Sequence, residues 1–278
     1  GMIIIWYNTD VMDMRKNRKA WFIFIFSIAL LAAGSFAFGF FKSSATVPKA
    51  TIQELTSVFE NDTIDLQYGY CENIDDGRGM TFGIAGFCSG TYDGNIFLKE
   101  YRRLEPDNRL VKYIPVFDRI DASVHDKNGC SDDTEGLEDF PADFAACRED
   151  PMFIWAQRYV ADRLYWYPSQ KIAESIGAAY NITRGELYDA YINHGEDGTE
   201  KLIKATDKIT GGRPASGINE KKWLSAFLRI RLAVLKADPC WREAADRIYV
   251  YRKLLSQDNL DLDTPFALKC YGDEFIIK

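Results

Sequence analysis

Residues 68–94, YGYCENIDDGRGMTFGIAGFCSGTYDG, carry glycines at 69, 77, 79, 83, 86, 90 and 94. A glycine inside a helix costs about 1 kcal/mol relative to alanine, so this density excludes a helix and predicts short strands and turns. The flanking sequence has helical periodicity instead. Ile52, Leu55, Val58 and Phe59 share one face of a helix running into Glu60-Asn61-Asp62. Leu110, Tyr113, Phe117 and Ile120 share another. Asp150-Pro151 opens a helix with Ile154, Ala161 and Leu164 inward, and Asp238-Pro239 opens the second of two long helices, over about 219–237 and 239–256. Thr51-Ile52-Gln53-Glu54 and Thr183-Arg184-Gly185-Glu186 read as capping boxes, and Gly195 as the end of the helix that the second box starts. Residues 121–143 and 208–217 read as loops. The expected class is α+β, mainly α-helical with a small β-sheet, and 278 residues can build one large core or two lobes.

Ahead of this body, Ala20–Phe41 contains no charge and follows Arg15-Lys16-Asn17-Arg18-Lys19. As a helix the run spans roughly 33 Å, enough to cross a bilayer. Basic residues before it predict a cytoplasmic stub and an exported body, secreted or periplasmic. Ser43-Ser44-Ala45 suits signal-peptidase cleavage, whereas the length of the run suits an uncleaved anchor. Gly1 is not a natural initiator, and Met12 or Met14 would leave a short basic region before the run. The chain thus divides into residues 1–45 and a body of residues 46–278. Its formal charge is −7, and the first segment is net basic, so the body is more acidic than the whole. That disfavours nucleic acid as a partner and suits either solubility or a cationic ligand.

His125 and His194 are the only histidines, and Cys71, Cys88, Cys130, Cys147, Cys240 and Cys270 contain no CxxC pair, so no metal or cofactor is expected. An exported body permits disulfides, and spacing alone does not choose among the pairings.

Two arginines fall on apolar stripes. Phe227, Arg231 and Val234, and likewise Ile248, Arg252 and Leu255, are spaced i, i+4, i+7. An arginine on such a face either snorkels to water or pairs with a buried carboxylate. Two at matching positions favour a buried ion network, with Asp189 as an acidic partner.

Glu60-Asn61, then Tyr68, then Asp76-Gly77-Arg78-Gly79-Met80-Thr81, Ala85-Gly86 and Asp93 resemble the signature of glycoside hydrolase family 46, the chitosanases. The resemblance continues at Tyr188-Asp189-Ala190, His194-Gly195, Asn259-Leu260-Asp261-Leu262 and Tyr271-Gly272-Asp273, covering residues 50–278. It implies a two-lobed, lysozyme-like fold with a substrate cleft, and endo-hydrolysis of β-1,4-linked glucosamine polymers with inversion. Glu60 would be the general acid and Asp76 the general base, activating a water that Thr81 helps to hold. The two carboxyls of an inverting pair lie about 6.5–9.5 Å apart. Asp189, Arg231 and Arg252 match the ion network behind the acid, and Asp62, Tyr70, Arg78, Asp93 and His194 match substrate positions. The resemblance also suggests a Cys71–Cys147 disulfide, with Cys240–Cys270 as a second pairing.

The implied partner is chitosan, cationic in weak acid and attracted by an acidic cleft, and a monomer suffices for the chemistry. Glu72 and Asp75 read either as turn residues that hold Asp76 or as extra charge for a cationic sugar. Competing readings are a hydrolase of chitin or peptidoglycan and a membrane-tethered, non-catalytic polysaccharide-binding protein. A phosphate cradle at Gly77-Arg78-Gly79 is disfavoured because no Gly-Lys-Ser/Thr follows. Asn61-Asp62-Thr63 and Asn181-Ile182-Thr183 are sequons, and a glycan on Asn61 would crowd Glu60, so that site is expected to stay unmodified.

Overall fold

The glycine-dense stretch folds as an antiparallel meander of β1 (Cys71–Asn73), β2 (Met80–Phe82) and β3 (Phe87–Cys88), with Cys71 opposite Phe82 and Thr81 opposite Cys88. A computed structural model describes residues 47–124, 129–237, 242 and 244–278. Two glycines show why the meander needs them. Gly79 has φ +74°, in the left-handed region, and any Cβ at Gly90 would collide with the Ser131 carbonyl. The charge-free run 20–41, the residues before it, His125, Asp238-Pro239 and Cys240 lie outside the described residues. Among the described residues no helix is long and apolar enough to cross a membrane.

The meander joins a first lobe with α2 (Asp93–Leu104), α3 (Ile114–Ser123), α4 (Phe140–Ala146) and α5 (Pro151–Ala161). Its core is aromatic: Phe82 packs on Phe97, Phe117, Phe140 and Phe144, and Phe153 closes the cluster against Phe144 at 4.8 Å between ring centroids. Each such ring contributes about 1.5–3 kcal/mol by leaving water. The expected face Leu110, Tyr113, Phe117 and Ile120 is buried here. Asp150 caps α5 as read, its carboxylate accepting the Met152 N–H at 2.8 Å.

The second lobe comprises α1 (Lys49–Asn61), α6 (Tyr167–Ile176), α7 (Asn181–Thr210), α8 (Glu220–Ala237), α9 (Ala245–Ser256) and a hairpin of β4 (Phe266–Cys270) and β5 (Asp273–Ile277). Ile52, Leu55, Val58 and Phe59 of α1 are buried in it, as their spacing requires. Between the lobes, α5 passes into α6 through a π-helical turn, Asp162–Trp166.

Neither capping box caps a helix. α1 begins earlier, at Lys49 behind Pro48. α7 begins at Asn181, and the chain before it is held from across the fold, where Glu220 accepts the N–H groups of Ala179 and Tyr180 at 2.9 and 3.0 Å. Gly195, at φ +67° and ψ −177°, kinks α7 but does not end it. The helix instead runs to Thr210, into the stretch read as a loop.

The Cys71–Cys147 pairing is corrected. Both are free thiols, and the Cys147 Sγ points along its own helix, donating to the Asp143 carbonyl at 3.4 Å. Cys270 is likewise free among the described residues.

Candidate active site

α1 delivers Glu60 at its last turn, where backbone carbonyls lack helical partners. The Phe59 carbonyl accepts from Arg247 Nη2 at 3.2 Å and from the Tyr271 hydroxyl at 3.0 Å. The helix end is thereby clamped by α9 and by the turn of the β4–β5 hairpin. Arg247 Nη1 also donates to Glu60 Oε1 at 2.9 Å and to Asp189 Oδ1 at 3.0 Å. Asp189, fully buried on α7, pairs through Oδ2 with Arg231 Nη1 at 2.6 Å, and the same nitrogen meets Glu186 Oε1 at 2.9 Å.

Two guanidinium groups therefore face three carboxylates. Glu186 is the surplus acid. Burial above all, with Asp189 beside it, outweighs Arg231 and raises its pKa to about 7. Glu186 Oε2 has no hydrogen-bond partner among the described residues, which leaves it free to carry the proton. His194 Nε2 accepts from Arg231 Nε at 3.2 Å. Burial, reinforced by the Arg231 charge, lowers its pKa to about 3, so the ring is neutral across the ordinary pH range.

Glu60 opens onto a cavity of about 290 Å³ between the lobes. The helical side contributes Glu60, Asn61, Ile192 and Asn193, and the sheet side contributes Tyr70, Arg78, Thr81 and Asp93. An adjoining hollow of about 490 Å³ shares Glu60, Asn61 and Tyr70 with it and adds Asp62 and Tyr271. Asp62 sits there as the left-handed cap of α1, at φ 53°.

Asp76 stands in the exposed β1–β2 turn, bonded to Arg78, which lines the cavity. Its Oδ1 accepts the Arg78 N–H at 3.1 Å, and Oδ2 accepts Nε at 2.7 Å and also Nη2. Burial opposes the Arg78 charge, yet the Asp76 hydrogen bonds raise its pKa overall. Glu72, on β1, instead accepts the Tyr70 hydroxyl at 3.3 Å, and burial together with Glu72 pushes that phenol up to about 12.

Thr81 lies at the back of the cavity, its Oγ1 3.5 Å from the Cys88 Sγ. Asp93 is a wall residue with its acceptors occupied. Oδ1 takes the Cys88 and Gly94 N–H groups and the Thr91 hydroxyl, and Oδ2 takes the Tyr165 hydroxyl at 2.7 Å. Burial raises its pKa despite these donors. Among the described residues, no three His, Cys, Asp or Glu side chains are grouped to hold a metal ion.

The cavity thus gathers Glu60, Tyr70, Arg78, Thr81 and Asp93, and the network behind it holds Asp189 and Arg231. His194 falls behind the wall, against Arg231, while its neighbour Asn193 reaches the cavity. Arg252 does not join the network, because the buried arginine of α9 is Arg247. Sequence reasoning missed Arg247, Glu186, Tyr165 and Tyr271. The signal for Arg247 was present: Arg247, Val250, Tyr251 and Leu254 form an i, i+3, i+4, i+7 set, all buried. Tyr165 is carried by the π-helical turn, which has no sequence signature.

Residues 54–266 match glycosyl hydrolase family 46. The chain belongs to this family. A chitosanase of Bacillus subtilis strain 168 is 37% identical over 243 residues, covering 83% of this chain and 85% of its own. A native chitosanase of Bacillus subtilis superposes with a TM-score of 0.77 at 36% identity, over 83% of this chain and 98% of that one. The chitosanase of Gynuella sunshinyii in complex with chitotetraose gives a TM-score of 0.77 at 37% identity, over 84% and 98%. The mainly helical, two-lobed, lysozyme-like architecture is that of the family 46 chitosanases.

Proposed function

We propose that this family 46 protein is a chitosanase that cuts β-1,4 bonds within glucosamine polymers and inverts the anomeric centre. Glu60 protonates the leaving glycosidic oxygen. Its Oε1 is held by Arg247, which leaves Oε2 to carry the proton. Asp76 takes a proton from a water that attacks the anomeric carbon from the opposite face, and the Thr81 hydroxyl steadies that water. The observation that carries the reading is the clamped Glu60 opening onto the same cavity as Thr81 and Arg78, the residue that holds Asp76. Relatives point to the substrate: solved chitosanases are complexed with chitotetraose and with 6 GlcN. The formal charge of −7 favours a cationic polymer over neutral chitin. On the same reading, residues 46–278 act as a monomeric catalytic body exported behind residues 20–41.

The test is NMR of the first products from glucosamine oligomers. Early accumulation of the α-anomer is expected, with little cleavage of fully N-acetylated polymer. Early β-anomer would replace inversion with a retaining mechanism. Binding without turnover would turn the protein into a polysaccharide-binding module.

A further inference from the structure

Arg252, expected in the acid's ion network, faces elsewhere. It lines a groove of about 580 Å³ on the second lobe, together with Thr210 at the end of α7, Lys222, Ser225 and Arg229 of α8, and Ser256 of α9. None of these residues lines the cavity that holds Glu60. Lys222, Ser225 and Arg229 are spaced i, i+3, i+7, so α8 turns them to one side. Its other side buries Trp223, Phe227 and Arg231.

Three cations in one groove repel one another, and an acidic protein has carboxylates to spare. The nearby cations use them: Lys221 pairs with Asp258 at 2.6 Å, Lys204 with Glu200 at 2.8 Å, and Arg213 with Asp207. Lys222, Arg229 and Arg252 pair with no carboxylate among the described residues. Small side chains, Ser225 and Ala226, leave the groove floor open. The arrangement is a concave site of one sign, which concentrates counter-ions of the other.

We infer that this groove binds an anion of several linked phosphates. The forked guanidinium groups of Arg229 and Arg252 match phosphate oxygens, and lysine adds a point charge. Length argues for linkage. Lys222 and Arg229 are seven residues apart on α8, about 10 Å along the axis, farther than one phosphate reaches. The linked phosphates can be free, as in tripolyphosphate, or part of a phosphodiester polymer. The inference does not depend on the hydrolase reading.

Calorimetric titration of the full chain, without sugar, tests it with tripolyphosphate and poly(glycerol phosphate) as probes. Saturable binding of at least one is expected, with orthophosphate much weaker. A polymer preference would identify a surface-anchoring site, and a tripolyphosphate preference a site for a small free anion. Lys222→Gln with Arg229→Gln should weaken binding by about tenfold or more while leaving glucosamine-oligomer hydrolysis unchanged. The control is Arg102→Gln with Lys171→Gln, which removes the same charge from exposed positions outside the groove. Arg252→Gln provides an independent single variant, and melting curves report folding for all. No saturable binding, wild-type affinity in the groove variants, or an equal loss in the control would each overturn the proposal and leave three solvated surface cations.

Discussion

Replacing Arg247 by alanine should cost both stability and rate. Its guanidinium is nearly fully buried, with side-chain exposure of 4%, and it serves Glu60, Asp189 and the Phe59 carbonyl together. Removing one partner of a buried ion pair typically costs about 3–5 kcal/mol. The low end applies here. Asp189 keeps Arg231 at 2.6 Å, and Glu60 is 33% exposed, so water takes up part of its lost contact. A loss of about 3 kcal/mol corresponds to a fall in Tm of roughly 6–12 °C for a body of this size. The kinetic effect is separate. Glu60 would lose its side-chain anchor and one of two donors to the carbonyl before it, and a displacement of about 1 Å at a reacting group can cost about 10²-fold in rate. Arg247→Lys should recover only part, since a point ammonium does not reproduce the planar fork that spans two carboxylates and a carbonyl. Arg252→Ala is the internal control. Arg252 has no ion-pair partner among the described residues, so its loss should stay within about 0.5 kcal/mol and leave kcat unchanged. Denaturant melts and steady-state hydrolysis of a glucosamine oligomer read out all three variants. The reasoning fails if Arg247→Ala matches wild type in both assays, or if Arg252→Ala proves the more damaging.

Glu60→Gln and Asp76→Asn should each abolish nearly all turnover while the fold survives, because Glu60 lines an open cavity, Asp76 stands in an exposed turn, and neither is locked inside a core. Substantial activity in Asp76→Asn, with an unchanged melt, would remove Asp76 from the base role. Buried Glu186 and half-buried His194, both in contact with Arg231, should shape stability against pH in opposite senses. Glu186 has a raised pKa of about 7, so its contribution is fully present below its unfolded value of 4.5 and is lost as pH rises through about 7. Glu186→Gln, mimicking the protonated acid, should flatten that loss in melts between pH 5 and 8. His194 has a lowered pKa of about 3, so its contribution is present above its unfolded value of 6.5 and is lost as pH falls. His194→Asn should flatten the acid side, and an unchanged profile in both variants would refute the network's charge assignment.

Much of this molecule could be read directly. Glycine density dictated the meander, because turns with positive φ and close backbone approach admit little else. Apolar periodicity identified the buried faces of α1 and α3, Asp150 capped α5 as its type predicts, and the run from Glu60 to Asp93 located the cavity through resemblance. These signals are local: backbone sterics, helical period and side chains bonding to their own turn. The misreadings of charge are non-local. Glu186 looked like half of a capping box because its spacing from Thr183 fits one, yet Arg231 of α8 claims it, while Glu220 at the start of the same helix secures the chain entering α7. On α9, Ile248-Arg252-Leu255 and Arg247-Tyr251-Leu254 are equally good stripes by spacing, offset by one residue. Positions 247 and 252 differ by about 140° around the helix, so only one can face inward. Which one does is set by where Asp189 and the end of α1 lie. Sequence alone determined which segments could be helix, strand or turn and where acidic groups could meet a substrate. Only the tertiary structure decided which charges are buried together, because burying a charge requires a partner and that partner comes from a distant part of the chain.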